Sequence, residues 1–183
     1  MTHAPRMLVL GLGNVLCGDD GLGVAAIARL AERWEIAPEV VVADGGTLGL
    51  SLLGLFDGMD EVLLVDAILA DAVPGALVAL DGDDVAPAAR ARLSVHQVGV
   101  ADLLDALDLL GTRPRRLSLV GLVPEQIELG MERSPAVERA LPLLVERVVR
   151  ELRERGHAVA PRRSGAAQAQ TPVDRDAARA LGL

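Results

Sequence analysis

Four short apolar runs limit what this chain can fold into. They are MLVLG at 7–11, VVVA at 40–43, EVLLV at 61–65 and LSLVGL at 117–122. Each is too short for a typical helix, and none alternates apolar with polar residues. A strand buried on both faces reads this way, and such strands form parallel sheets covered by helices on either side. The segments between them fit that picture. From Gly21 onward, Val24, Ile27, Leu30, Ala31 and Trp34 recur at helical spacing. Thr47 is placed to cap a leucine-rich segment ending near Phe56. Val100, Leu103, Leu104, Leu107 and Leu110 line one side of a third helix. Ser134-Pro135 reads as a cap with proline at the first helical position. Val137, Leu141, Leu144, Val145, Val148 and Leu152 then trace a long amphipathic helix that Gly156 stops.

The stretch 67–75 contains Pro74-Gly75 and is too short for a crossover helix, so 76–80 is expected to be an antiparallel edge strand. The predicted fold is α/β: three layers, a mostly parallel sheet with helices on both faces. Residues 1–156 form a single domain. Residues 157–183, rich in Ala, Arg, Pro and Gln, are expected to be a flexible tail carrying at most a short helix.

Composition narrows the function. The formal net charge of −8 and a pI near 4.9 disfavour nucleic acid, whose phosphates would be repelled. The same surplus suits a bound cation or a basic peptide. All the basic residues are arginine, and there is one Phe, one Trp and no Tyr, so the core must be aliphatic. The single cysteine, Cys17, excludes an internal disulfide framework and a cysteine-based structural zinc site, and is compatible with the cytosol. The apolar start at 7–16 follows Arg6, but it contains Gly11, Gly13 and Asn14 and runs into Asp19-Asp20 without a small-residue cleavage site. A signal peptide is not expected. No apolar stretch has the length of a membrane span, and no membrane partner is expected.

In an open α/β sheet, ligands bind outside the carboxyl ends of the parallel strands. The first three strands run into Asp19 and Asp20, Asp44, and Asp66. His96, just before the third helix, can reach the same edge. His3 belongs to the amino-terminal stub and His157 to the tail, which leaves His96 as the imidazole held inside the fold. Carboxylates plus a neutral imidazole suit a divalent first-row metal, and three protein ligands leave coordination positions open for chemistry. Blander readings stand beside this one. Asp19 or Asp20 is also a natural helix cap, Asp44-Gly45-Gly46 a turn, and His96 a structural hydrogen-bonding group.

Other devices fit poorly. Gly11-Leu12-Gly13 after a strand suggests a dinucleotide loop, but Leu16 stands where its third glycine belongs and two carboxylates occupy the helix start. There is no HExxH and no GxSxG. Cys17 with His96 as base is an alternative nucleophile pair, though a small cysteine in an apolar loop usually only packs.

The string GLGNVLCGDDGLGV at 11–24 resembles the opening motif of the NiFe-hydrogenase maturation endopeptidases. So do DGGT at 44–47, LVDA at 64–67, SVHQ at 94–97 and VGLVP at 120–124, in the family's order and spacing. QIELG at 126–130 with Ser134-Pro135 is similar too, and the resemblance spans 7–152. It implies a cytoplasmic, metal-dependent, aspartic-type endopeptidase that removes a short C-terminal extension from the NiFe-hydrogenase large-subunit precursor after nickel insertion. It also implies that Asp20, Asp66 and His96 are at once the catalytic residues and the metal ligands, with Asp44 supporting. Some relatives carry Glu where Asp20 stands. The metal expected is nickel supplied by the substrate, with another divalent ion as an alternative. The runner-up function is a non-catalytic nickel-sensing maturation chaperone of the same large subunit. A generic hydrolase on this fold is a further reading.

Overall fold

The computed structural model describes residues 5–90 and 95–162, with side chains for 5–90 and 99–162. Strands β1 (Met7–Leu12), β3 (Val40–Gly46), β4 (Glu61–Ala67), β5 (Leu77–Asp81) and β6 (Arg116–Leu122) form one sheet in the order β3-β1-β4-β6-β5. The first four strands in that order pair in parallel, and β5 runs antiparallel to β6 at the edge. The expected α/β architecture and the antiparallel edge strand are both present. A separate antiparallel pair joins β2 (Trp34–Ile36) to β7 (Val159–Pro161).

The unalternating apolar runs have a simple cause. In β1, Met7 and Val9 pack on one side with α1 (Leu22–Arg33) and α5 (Pro135–Glu154), while Leu8, Leu10 and Leu12 pack on the other. That other face is covered by the segment Gly49–Leu52 to α2 (Leu53–Phe56), and by α3 (Val85–Arg90) and α4 (Val95–Leu110). Both faces of every central strand are dry, so no polar alternation survives. Burying a leucine or valine in these layers contributes about 2 kcal/mol each, which lets an aliphatic core do without aromatic rings.

Several local expectations need correction. Trp34 keeps the helical spacing of α1 but begins β2, because the chain turns extended there to pair with β7. The ring lies beneath Arg153, whose Cζ is 5.2 Å from its centroid. Thr47 does not cap; a 3-10 turn over Gly49–Leu52 intervenes before α2, and Leu48 holds its cap position. The chain from 157 is not free over its first residues. His157 is buried, and Val159–Pro161 is strand, so the fold extends through at least Pro161. His157, expected in the tail, is thus an imidazole held inside. The tail's remainder, 163–183, lies outside the described residues. The Ser134 cap and Pro135 start of α5 are as expected: the Ser134 side chain accepts from the Val137 amide at 3.3 Å. No described helix is long and apolar enough to cross a membrane.

Candidate active site

Asp66 is the penultimate residue of β4, the strand hydrogen-bonded between β1 and β6. It belongs to the strand rather than to the loop after it. Its Oδ1 accepts from the Ala67 amide at 2.7 Å, and it is only 5% exposed. Asp20 lies in the 3-10 turn Gly18–Gly21 that links β1 to α1, is 0% exposed, and accepts from the Asn14 amide at 3.1 Å. That turn packs against β4. The packing is close because residue 23 has no side chain: a Cβ there would stand 2.1 Å from the Val65 carbonyl oxygen. Gly121 on β6 does the same from the other side, where a Cβ would come within 1.8 Å of the Asp66 carbonyl oxygen. These close approaches hold the turn bearing Asp20 and the strand end bearing Asp66 at one edge of the sheet.

The backbone of His96 occupies the first turn of α4, and its side chain lies outside the described residues. Gly99, one turn later, abuts Gly49 of the segment after β3; a Cβ on Gly99 would be 3.0 Å from the Gly49 Cα. The start of α4 therefore sits at the same carboxyl edge as Asp20 and Asp66. Among the described residues no three Asp, Glu, Cys or His side chains form a metal cage by themselves. The donor chemistry at this edge, two buried carboxylates and one imidazole-bearing helix start, suits a divalent first-row ion.

Asp44 ends up exposed, with its Oδ1 accepting from the Gly46 amide at 2.9 Å. It closes its own turn. Cys17 accepts a hydrogen bond at Sγ from Asn14 Nδ2 at 3.3 Å, and its backbone bridges to Gly130. It knits two loops together.

One important residue at this edge goes beyond the sequence reading. Asp19 is fully buried, and both its oxygens are used. Oδ2 accepts from the amides of Glu125 (2.8 Å) and Gln126 (3.1 Å), and Oδ1 from that of Ser134 (2.7 Å). A single carboxylate thus clamps the whole β6–α5 connection onto the turn bearing Asp20. Its donors lie more than a hundred residues away and are backbone groups, so no side-chain pattern announces them. The only hint was an Asp-Asp pair of which one member was surplus to the expected ligand set.

A cleft of about 590 Å³ beside β2 and β7, lined in part by Glu35, Arg153 and His157, lies elsewhere and contains none of the expected site residues. The chain as a whole has counterparts among known proteins. The sequence profile of the family described as hydrogenase maturation protease matches residues 24–151. The Hydrogenase 2 maturation protease of Escherichia coli is 37% identical over 158 residues, covering 86% of this chain and 96% of that protein. The hydrogenase expression/formation protein HupD of Rhizobium leguminosarum is 38% identical over 166 residues, covering 90% and 82%. The solved hydrogenase maturating endopeptidase HybD from E. coli superposes with a TM-score of 0.82 at 37% identity, covering 86% of this chain and 98% of that one. The [NiFe] hydrogenase maturation protease HybD from Thermococcus kodakarensis gives 0.67 at 32% identity, covering 80% and 98%. Motifs, sheet order and these likenesses agree over nearly the whole folded part of the chain, which belongs to the hydrogenase maturation protease family.

Proposed function

We propose that this protein is the endopeptidase that removes the C-terminal extension of a NiFe-hydrogenase large-subunit precursor once nickel has been inserted. The observation that carries the reading is the pair of buried carboxylates, Asp20 and Asp66, held at the carboxyl edge of adjoining strands. Carboxylate oxygens are hard donors suited to divalent cations, and two of them at one sheet edge make a site to which such an ion can be brought.

On this reading nickel arrives as part of the substrate. Bound, it supplies Lewis acidity toward a carbonyl or a water. Asp20 and Asp66 offer oxygen donors and His96 a nitrogen donor, and together they fix the precursor's C-terminal segment against the sheet edge. Asp19, through its three amide contacts, keeps the β6–α5 connection and the Asp20 turn in a fixed relation, so that little reorganisation is left for the moment of cleavage. The enzyme is in this sense metal-dependent and aspartic-type, and cleavage waits for nickel because the ion supplies the Lewis acidity. Another divalent ion of similar donor preference would bind the same set less selectively. A cytoplasmic place of work accords with the lone, unpaired Cys17.

The test is the intact mass of the cognate large-subunit precursor after incubation with the protein, with and without nickel. Loss of one C-terminal peptide only from nickel-loaded precursor is expected, abolished by Asp66→Ala and by His96→Ala and retained by Cys17→Ala. Equal cutting of the nickel-free precursor would overturn the nickel requirement. Unchanged mass with stable, nickel-dependent binding would make the protein a sensing chaperone instead.

A further inference from the structure

The exposed apolar side chains of this protein are not scattered. Leu109, Leu110 and Leu143 apart, every exposed large apolar side chain among the described residues lies in the connections leaving the carboxyl edge of the sheet. Leu16 precedes the Asp20 turn, Leu48 follows β3, Leu69 and Val73 follow Asp66, and Leu129 and Met131 follow β6. Single exposed leucines need no explanation, but a cluster confined to one edge marks an interaction surface.

The backbone sets part of this cluster in place. Gly130 N–H donates to the Leu16 carbonyl at 2.9 Å, and the Gly18 amide donates to the Gly130 carbonyl at 2.7 Å. The two side chains flanking Gly130 are therefore held beside Leu16 while pointing away from the core: Leu129 is 91% and Met131 72% exposed. The Asp19 clamp pins both ends of the same connection, through Glu125 and Gln126 before it and Ser134 after it. An ordered loop that presents its apolar residues to water is built to be covered. Charge says by what: Glu125, Glu128 and Glu132 are exposed around Leu129 and Met131, while the one basic residue of the connection, Arg133, is engaged by Glu138.

We infer that this rim is the docking surface for an apolar segment of the large-subunit precursor flanked by basic residues, which is seated there before the scissile bond reaches Asp20 and Asp66. The inference rests on the endopeptidase reading for the identity of the partner. The occupant is the substrate rather than a second copy of this chain, because the rim is continuous with the carboxylate site: Leu16 and Asp20 share one connection, and Leu69 follows Asp66 by three residues. A second copy would bring its own acidic rim against this one and be repelled.

The experiment is steady-state cleavage of the purified nickel-loaded precursor, with precursor binding and the protein's own mass in solution measured alongside. Leu129→Ser with Met131→Ser removes two of the three most exposed side chains of the rim and touches no core residue. The expected result is a KM raised about tenfold with kcat nearly unchanged, the pattern of lost docking rather than lost chemistry. Glu128→Arg with Glu132→Arg should raise KM about as much and flatten its salt dependence. Leu109→Ser with Leu110→Ser, equally exposed at the far end of α4, should change neither parameter. If wild type cuts and both rim variants keep its KM, the docking proposal is overturned and the endopeptidase stands. If wild type binds without cutting and the rim variants lose binding, the docking surface stands and the endopeptidase reading falls. Failure of wild type to bind or cut overturns both. A wild-type dimer that the rim variants turn into monomers, with KM unchanged, would assign the rim to a second copy and overturn the proposal.

Discussion

The two ends of the central sheet handle buried carboxylates in opposite ways. At the amino ends of the strands, Glu61 sits between Arg115 and Arg155, each at 3.4 Å, and Glu151 is bound by Arg147 and by Arg155 at 2.9 Å. Arg155 also donates to Ser118 Oγ at 2.8 Å, and Ser118 in turn hydrogen-bonds Asp81. At the carboxyl ends, Asp19 is held by three backbone amides, and Asp20 and Asp66 also accept from amides. The topology bears on the choice. Parallel βα units bring helix ends, which favour arginine, to the amino edge, while at the carboxyl edge the donors are amides of the strand ends and of the loops that leave them, up to the cap of α5. Arginine cancels a carboxylate's charge, whereas an amide stabilises it without cancelling it. One edge of the molecule therefore sets its buried glutamates against arginines, and the other meets its buried aspartates with backbone amides; the second is the edge where the family resemblance puts the chemistry.

Breaking the amide-held end should cost most. Asp19→Ala leaves three N–H groups, one buried and two part-buried, without the acceptor of a buried carboxylate, and the expected loss is about 4 kcal/mol. The midpoint of urea unfolding checks it; a loss under about 1 kcal/mol would mean that the clamp is incidental. Breaking the arginine-held end should cost less and leave activity alone. Arg155→Met keeps the side chain's bulk but leaves Glu61 and Glu151 one arginine each, and about 3 kcal/mol of stability should go. Precursor cleavage at saturating substrate should stay as in wild type; a matching fall in kcat would show that the two ends are coupled.

The arginine-held end should also have a pH signature. Burial pushes Glu151 up, but its hydrogen bonds and charge contacts with Arg155 and Arg147 outweigh that, and its pKa lies below the ordinary glutamate value. A carboxyl whose folded pKa is depressed adds stability above its unfolded pKa and loses it as pH falls through the folded one. The stability gap between wild type and Arg155→Met should thus be full at neutral pH and shrink below the ordinary glutamate range. A gap that is constant down to pH about 2 would sink this account. The smallest effect belongs to Glu138, also depressed: its modest burial is outweighed by Arg29 and Arg133, but it stands at the surface. Glu138→Gln should change the melting temperature by only a degree or two, an exposed pair being worth roughly 0.5 kcal/mol.

Particular residues show what could be read in advance. MLVLG and EVLLV were legible as doubly buried strands because a strand with two dry faces has one sequence signature. The edge rule then brought Asp20 and Asp66 to one place before any contact was known. β2 and β7 were missed because WEI and VAP are three residues long, one carries a proline, and the helical spacing of α1 continues through Trp34. Arg155 stands at the C-terminal end of α5, and only the packing of α5 across the strand starts turns it into the hub of a buried network. His157 was assigned to a tail because polarity marks exposure only on average.

By itself, the sequence determined the layers, the mostly parallel character of the sheet and the edge at which the acidic residues were expected to collect, since periodicity and strand length are local and act on every turn of chain alike. It determined the family as well, because five short motifs kept their order and spacing. Only the tertiary structure decided that Asp19 clamps rather than caps, that Arg155 is buried, and that the exposed leucines and methionine gather around the carboxylates. Those outcomes depend on residues brought together from distant parts of the chain, several of them through backbone groups that every amino acid carries, and no local pattern encodes such a meeting.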